Sequence, residues 1–223
     1  MHDVPYIQAK HFQPETVAVM SRVCTQIKHI LPSNISCGVQ VLACGNKEAL
    51  AIAKACDLDF IRVEGFVFSH IADEGFTDAN AGTLLRYRKQ IDAENVLVFT
   101  DLKKKHSNSH CDFNRNICSS HSITADVSLV ETAKAAEFFL SDGVILTGSS
   151  TGVAADPLEL KSLKDNTNMP VLIGSGITLN NFKNYKDASA VIIGSYFKKA
   201  GLWSNDIDEN IVIEFINKVK EFR

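Results

Sequence analysis

The sequence predicts an α/β barrel of parallel strands, and three observations carry that reading. Strand-like and helix-like segments alternate along the chain. The strands are short, nearly continuous apolar runs such as Val96-Leu-Val-Phe99 and Gly143-Val-Ile-Leu146, the pattern of a parallel sheet covered by helices. Glycine-rich turns follow the last two strands instead of the first. A doubly wound sheet should carry its glycine fingerprint after strand one, whereas phosphate-binding (β/α)8 barrels place that feature after strands seven and eight. Six strands are visible, each followed by a helix, so they read as units three to eight of the barrel, with the first two strands missing.

The elements follow in order. Helical spacing of Val17, Met20, Val23, Cys24, Ile27, Ile30 and Leu31 predicts a helix over 17–31, followed by an apolar strand over 39–43. Asn46 opens an alanine-rich helix over 47–56, and Phe60 to Val63 gives the next strand. The stretch 65–80 is longer than a typical βα loop and is expected to form a lid over the mouth or a plain surface excursion. Helix 81–91 and strand 96–100 come next, then helix 129–140 and strand 144–147. A short helix over 158–163 precedes strand 171–173, helix 179–185 precedes strand 191–193, and an amphipathic helix over 207–222 closes the chain.

Composition limits the function classes. Of 223 residues, 45% are hydrophobic and 22% charged, with a formal charge of -3, which excludes disordered and fibrous classes and fits one domain over residues 1–223. No apolar run approaches the roughly 20 residues of a membrane-spanning helix, and the mixed charge lacks the basic stripe that nucleic acid requires. Residues 1–16 lack the apolar core of a signal peptide and the arginine-rich character of a transit peptide. Four of the six cysteines, at 24, 37, 44 and 56, sit inside helix or strand patterns, as buried thiols of a reducing compartment do. An intracellular protein, cytoplasmic or organellar, is expected.

The carboxyl ends of barrel strands assemble the active site, so those ends supply the candidates. Gly174-Ser175-Gly176 and Gly194-Ser195 end consecutive strands in small residues that let backbone N–H groups approach an anion, with Thr178 placed to cap the following helix. Either turn alone reads more readily as a tight strand-to-helix connection than as an anion site; the pair on consecutive strands reverses that and points to phosphate. Strand alternation puts Arg62 and Glu64 on one face, which should point inward because an unpaired charge under the outer helices is costly. There they pair with each other, closing the barrel interior, or hold a polar ligand. Asp101, with Lys105 and His106 close behind, is an acid/base candidate set, with a solvated lysine loop as the plainer reading. Thr147-Gly-Ser-Ser-Thr-Gly152 offers four hydroxyls and two glycines for a polar ligand, with Thr147, Thr151 and Gly152 as candidates. His106, His110, Cys111, Cys118 and His121 lack the paired ligand spacing of a zinc site, so neither a metal nor another cofactor is expected.

Several of these stretches together resemble the BtpA family: Gly38-Val-Gln-Val-Leu42, Ala49-Leu-Ala-Ile-Ala53, Phe60-Ile-Arg-Val63, Arg86-Tyr-Arg88, Asp101 through Lys104-Lys105-His106-Ser107, Thr147 to Gly152 and Val171-Leu-Ile-Gly-Ser-Gly176. The resemblance runs over essentially the whole chain and implies a ribulose-phosphate-binding type of barrel. Members of the family begin with two further strands, the first with a His- and Pro-rich motif and the second ending in Glu-Asn, before a segment similar to His2-Asp3-Val4-Pro5-Tyr6. By that resemblance Met1 reads as an internal methionine and the chemistry of two strand ends is absent. Residues 108–119 read as an insertion.

The resemblance and the strand ends together imply a small phosphorylated metabolite as ligand, held by Gly174, Ser175, Gly176, Gly194 and Ser195. Arg62, Thr147, Thr151 and Gly152 would orient it, and Glu64, Asp101, Lys105 and His106 would move protons. The family's name, taken from a bacterial factor of photosystem I biogenesis, implies the alternative of a non-catalytic assembly factor for a membrane complex. An inactive shortened form is the third reading. Strand edges left unpaired by two absent strands would invite self-association into a homo-oligomer.

Overall fold

The computed structural model describes residues 7–72, 75–103, 126–148 and 152–221. After a 3-10 turn at Ala9–His11 the chain enters α1 (Pro14–Ile30), started by a proline in its first turn, where a missing N–H costs nothing. Then come β1 (Gly38–Val39), α2 (Asn46–Ala55) and β2 (Phe60–Val63). A hairpin of β3 (His70–Ala72) and β4 (Gly75–Thr77) precedes α3 (Ala81–Gln90) and β5 (Leu97–Asp101). The second half runs α4 (Leu129–Phe138), β6 (Gly143–Leu146), α5 (Pro157–Asn166), β7 (Val171–Ile173), β8 (Ala190–Val191) and α6 (Glu209–Lys220).

Six strands form one parallel sheet in the order β1-β2-β5-β6-β7-β8. That order follows the chain without reversal, whereas a doubly wound sheet reverses at a switch point. The chain thus folds as six consecutive βα units of a barrel, as the glycine placement predicts. Among the described residues β1 and β8 are the sheet's two edges.

The core lies between the outer face of the sheet and the helices. Ile61 and Val63 of β2, Val98 of β5 and Val144 of β6 are fully buried there, against Leu50, Ile52 and Ala53 of α2 and Leu163 of α5. On β2 burial alternates, so Phe60 and Arg62 take the interior face. Phe60 meets Phe99 of β5 edge to face at 5.5 Å between ring centres, a favoured aromatic geometry. Ser128 and Glu131 close a capping box at the start of α4. Cys24, Cys37, Cys44 and Cys56 are free thiols; burial, with Cys56 and Cys37 nearby, pushes the Cys24 thiol up.

Three expectations change. Residues 179–185 form only a 3-10 turn at Phe182–Tyr185, although Thr178 and Asn181 exchange the two side-chain-to-backbone bonds of a capping box at its start. The strand over 39–43 keeps ladder pairing only at Gly38–Val39, although Val41 and Ala43 beyond it stay buried. The long segment after β2 contains the β3–β4 hairpin, whose three-residue strands are too short for a period-two signal. Also, α1 seats Val17, Met20 and Cys24 on the core but leaves Val19, Val23, Ile27 and Ile30 exposed, so its apolar face is wider than its seat.

Two substitutions test this packing. Ile61→Ala should cost about 2–5 kcal/mol, because the site lies enclosed between α2 and the sheet, and Ser128→Ala about 1 kcal/mol through loss of the cap. Urea unfolding monitored by circular dichroism measures both.

Candidate functional site

The upper interior of the sheet is governed by one ion pair. Inward alternation on β2 brings Arg62 beside the end of β5, where its Nε donates to both oxygens of Asp101 at 3.0 and 3.1 Å and its Nη2 donates to Oδ2 at 2.9 Å. Both side chains are largely buried, at 15% and 5% exposure. Burial pulls the Arg62 pKa down, but the charge and hydrogen bonds of Asp101, helped by Glu64, outweigh it and leave it raised. A carboxylate gripped by a guanidinium fork is a weak proton acceptor. Arg62 and Asp101 are therefore suited to holding position and charge.

Glu64 takes a different direction from its neighbour. Its Oε2 accepts from the Cys44 backbone N–H at 3.3 Å and from the Cys44 thiol at 3.7 Å. Asn46, at the start of α2, donates to the Glu64 carbonyl at 2.6 Å and to Asn80 Oδ1 at 3.2 Å. This buried polar cluster ties the ends of β1 and β2 to the segment that carries the hairpin.

The turn after β7 is built for close backbone approach. Gly176 has φ +71°, and a side chain there would drive its Cβ to 2.2 Å from Ala154 N. A Cβ on Gly174 would lie 2.6 Å from Ile145 and 2.7 Å from Thr147. The Ser175 hydroxyl donates to Val153 O and accepts from Gly148 N–H, both at 2.8 Å, clamping the loop after β6 onto this turn. Tyr185 reinforces the clamp by donating to Ala155 O at 2.6 Å. Burial, with a smaller effect from Asp156, pushes the Tyr185 phenol above its ordinary value near 10. Gly194, after β8, differs from both glycines of the first turn: a Cβ there would meet nothing within 4 Å.

These turns face a shared cavity of about 350 Å³. Arg62, Gly174, Ser175, Gly176, Gly194 and Ser195 all line it, and Gly152 joins them from the loop after β6. The segment after β8 contributes Tyr196, Lys198 and Trp203. Among the described residues the lining carries two cations, Arg62 and Lys198, and no carboxylate, thiol or imidazole. That lining suits an anion and offers no ligand set for a transition metal.

The structure sorts the expected residues into groups. The glycine and serine candidates and Arg62 come together, although the Ser175 hydroxyl is committed to the loop clamp, leaving its backbone N–H. Arg62 pairs with Asp101 instead of Glu64, because Arg62 stands opposite Phe99 on the paired strand and Asp101 lies two residues further along the same face. Glu64 and Asp101 do not line the cavity. Thr147 is fully buried and donates to Lys103 O at 3.2 Å, so it braces the loop instead of orienting a ligand. Lys103 itself pairs with Glu159. Lys105, His106 and Thr151 lie outside the described residues, as do the insertion 108–119 and the rest of the stretch weighed for zinc. Sequence reasoning missed Tyr196, Lys198 and Trp203. Their segment has no strand or helix period, and its one signal is that Trp203 is the sole tryptophan of the chain.

Comparison with known proteins agrees with this fold. The chain matches the model of the BtpA family over residues 1–221. It is 44% identical over 227 residues to an uncharacterized mitochondrial protein of Caenorhabditis elegans, covering 100% of this chain and 77% of that one. It is 30% identical to the photosystem I biogenesis protein BtpA of a Synechocystis strain, covering 98% of this chain and 71% of that protein. Among solved structures, phosphoribosyl anthranilate isomerase from Thermus thermophilus superposes with a TM-score of 0.58 at 12% identity, over 91% of this chain and 81% of that one. At that identity the likeness concerns the fold alone.

Asp101→Asn should destabilise the protein by about 3–5 kcal/mol, because it leaves a buried guanidinium without its counter-charge. The double variant Arg62→Met/Asp101→Leu should cost less, and urea denaturation of the three proteins separates the cases. Tyr185 gives a pH test. Its pKa is raised on folding, so its contribution is fully present below about pH 10 and is lost as pH rises through the higher folded value. Tyr185→Phe should cost about 1 kcal/mol at neutral pH and remove that part of the alkaline loss of stability, as thermal melts across pH 8–12 would record.

Proposed function

The chain belongs to the BtpA family, and we propose that it binds a small phosphorylated metabolite in the cavity above β7 and β8. The observation that carries this is the lining: two glycine turns on consecutive strands converge with the Lys198 ammonium and, among the described residues, no carboxylate lines the cavity. Backbone N–H groups of Ser175 and Gly176 and of Gly194 and Ser195 would hold the phosphate, while the Gly174 N–H is taken by Leu146 O at 2.8 Å and that glycine serves by its small size. The loops after the last two strands are where barrels of this kind take phosphate. The Thermus structure that shares the fold is of an isomerase named for a phosphoribosyl compound, which supports the same ligand class. Arg62, neutralised by Asp101, orients the polar part of the ligand. An intracellular, organellar setting is supported by the four free thiols and by the mitochondrial name of the nematode relative. No helix among the described residues is long and apolar enough to cross a membrane.

A second reading, assembly of a larger complex, is what the Synechocystis relative's name says of that protein. One observation favours it here. A second cavity, of about 520 Å³, lies between α3 and the end of α4, away from the first, and is lined by Leu85, Phe138, Phe139 and Leu140 with Arg86 and Lys89.

Gly194→Asp decides the first reading. The position has open space, with backbone at φ -116° and ψ -87°, so an aspartate side chain meets no neighbouring atom there and brings a carboxylate to the cavity lining. Isothermal calorimetry with a panel of sugar phosphates and nucleotides should give binding to the wild type that requires the phosphate, reduced at least about tenfold in Gly194→Asp. Equal affinity in the two proteins, or no phosphate-dependent binding, would refute the reading.

A further inference from the structure

We infer that the cavity is specific for phosphate monoesters that carry a planar aromatic ring, with Lys198 as the counter-charge of the phosphate and Trp203 as the surface on which the ring stacks. The inference rests on the phosphate reading above and goes beyond it by assigning the ligand's other end and two residues after β8.

The charge distribution fixes the orientation. Arg62 is matched by Asp101 and also feels Glu64, so the floor of the cavity has no surplus positive charge to offer a dianion. Lys198 also lines the cavity, and among the described residues it has no ion-pair partner. The phosphate is therefore best placed high, near the turns of Gly176 and Gly194, where open backbone N–H groups and the Lys198 ammonium act together. The remainder of the ligand must then contact the walls, and those are apolar and aromatic: Ile177, Ile192, Tyr196 and Trp203.

Trp203 has the features of a stacking surface. It is 44% exposed and borders the cavity. The chain reaches it through two consecutive left-handed residues, Ala200 at φ 54° and Gly201 at φ 68°. Alanine is disfavoured in that conformation, and such backbone is retained where surrounding structure enforces it, frequently beside ligand sites. A cavity of about 350 Å³ sits at the lower end of the range for small-molecule sites, enough for one ring, one sugar and one phosphate. The type ligand is a nucleoside monophosphate, since its base supplies a flat π-face.

The test uses the intact protein and a matched pair of probes, adenosine 5′-monophosphate and ribose 5-phosphate, which share the phosphoribosyl group and differ by the base. Calorimetry should give at least about tenfold tighter binding of the nucleotide, in line with one stacked base, and the nucleotide should quench the emission of Trp203, the sole tryptophan. Trp203→Ala should remove the preference while keeping the affinity for ribose 5-phosphate, and Lys198→Ala should weaken both probes about tenfold. Equal affinity of the wild type for the two probes overturns this inference and leaves the phosphate reading standing. A preference that survives in Trp203→Ala, or undiminished binding by Lys198→Ala, overturns the role of that residue. Failure of the wild type to bind either probe, or any other phosphate ester, overturns the phosphate reading itself.

Discussion

A guanidinium and a carboxylate, buried together between β2 and β5, set the conditions for everything above them. Removing two charges from water is costly, and their attraction offsets that cost only with good geometry; here three hydrogen bonds at 2.9 to 3.1 Å supply it. Because Arg62 is neutralised within the sheet, the strand ends can form a cavity without an unbalanced charge at its base. The pair also fixes how β2 and β5 present their upper residues. Glu64, two residues beyond Arg62 on the same face, turns to the Cys44 and Asn46 cluster instead.

At the turn after β7 the controlling element is the Ser175 hydroxyl. By engaging Val153 and Gly148 together it makes the loops after β6 and β7 one body, with Tyr185 holding the far end through Ala155. The two regions differ in kind. One is stabilised by opposite charges, the other by neutral hydrogen bonds under a backbone that approaches too closely for any side chain at Gly176. Pre-formed donors of this sort lose little freedom when an anion arrives, which is the advantage of rigid sites in general.

Much of this was legible in the sequence, for identifiable reasons. Strands such as Gly143–Leu146 are buried at every residue, so their apolar runs mark them without ambiguity, and the location of the glycines distinguishes the barrel from its doubly wound competitor. The inward direction of Arg62 followed from alternation and the cost of a charge under helices. Its partner did not. Glu64 is adjacent in sequence, whereas Asp101 is brought near by parallel pairing of strands 39 residues apart, and pattern reading has no access to that register. Thr147 and Ser175 illustrate the same limit: a hydroxyl at a strand end looks available for ligand until the loop that consumes it is in place. Lys198 and Trp203 went unnoticed because irregular segments have no period, and their contribution arises only from where β8 delivers them.

The contrast between Gly176 and Gly194 reaches into how such a site can change over time. Two glycines in equivalent turns look interchangeable, yet the first is locked by the backbone of Ala154 and the second borders open space. Replacement of the first perturbs the fold before it perturbs recognition, so selection on stability alone would keep it. A side chain at the second meets no neighbouring atom, and the position borders the cavity. Residue 194 is thus a point at which lineages of this barrel can acquire new ligand preferences by single substitutions, while the architecture beneath stays as it is.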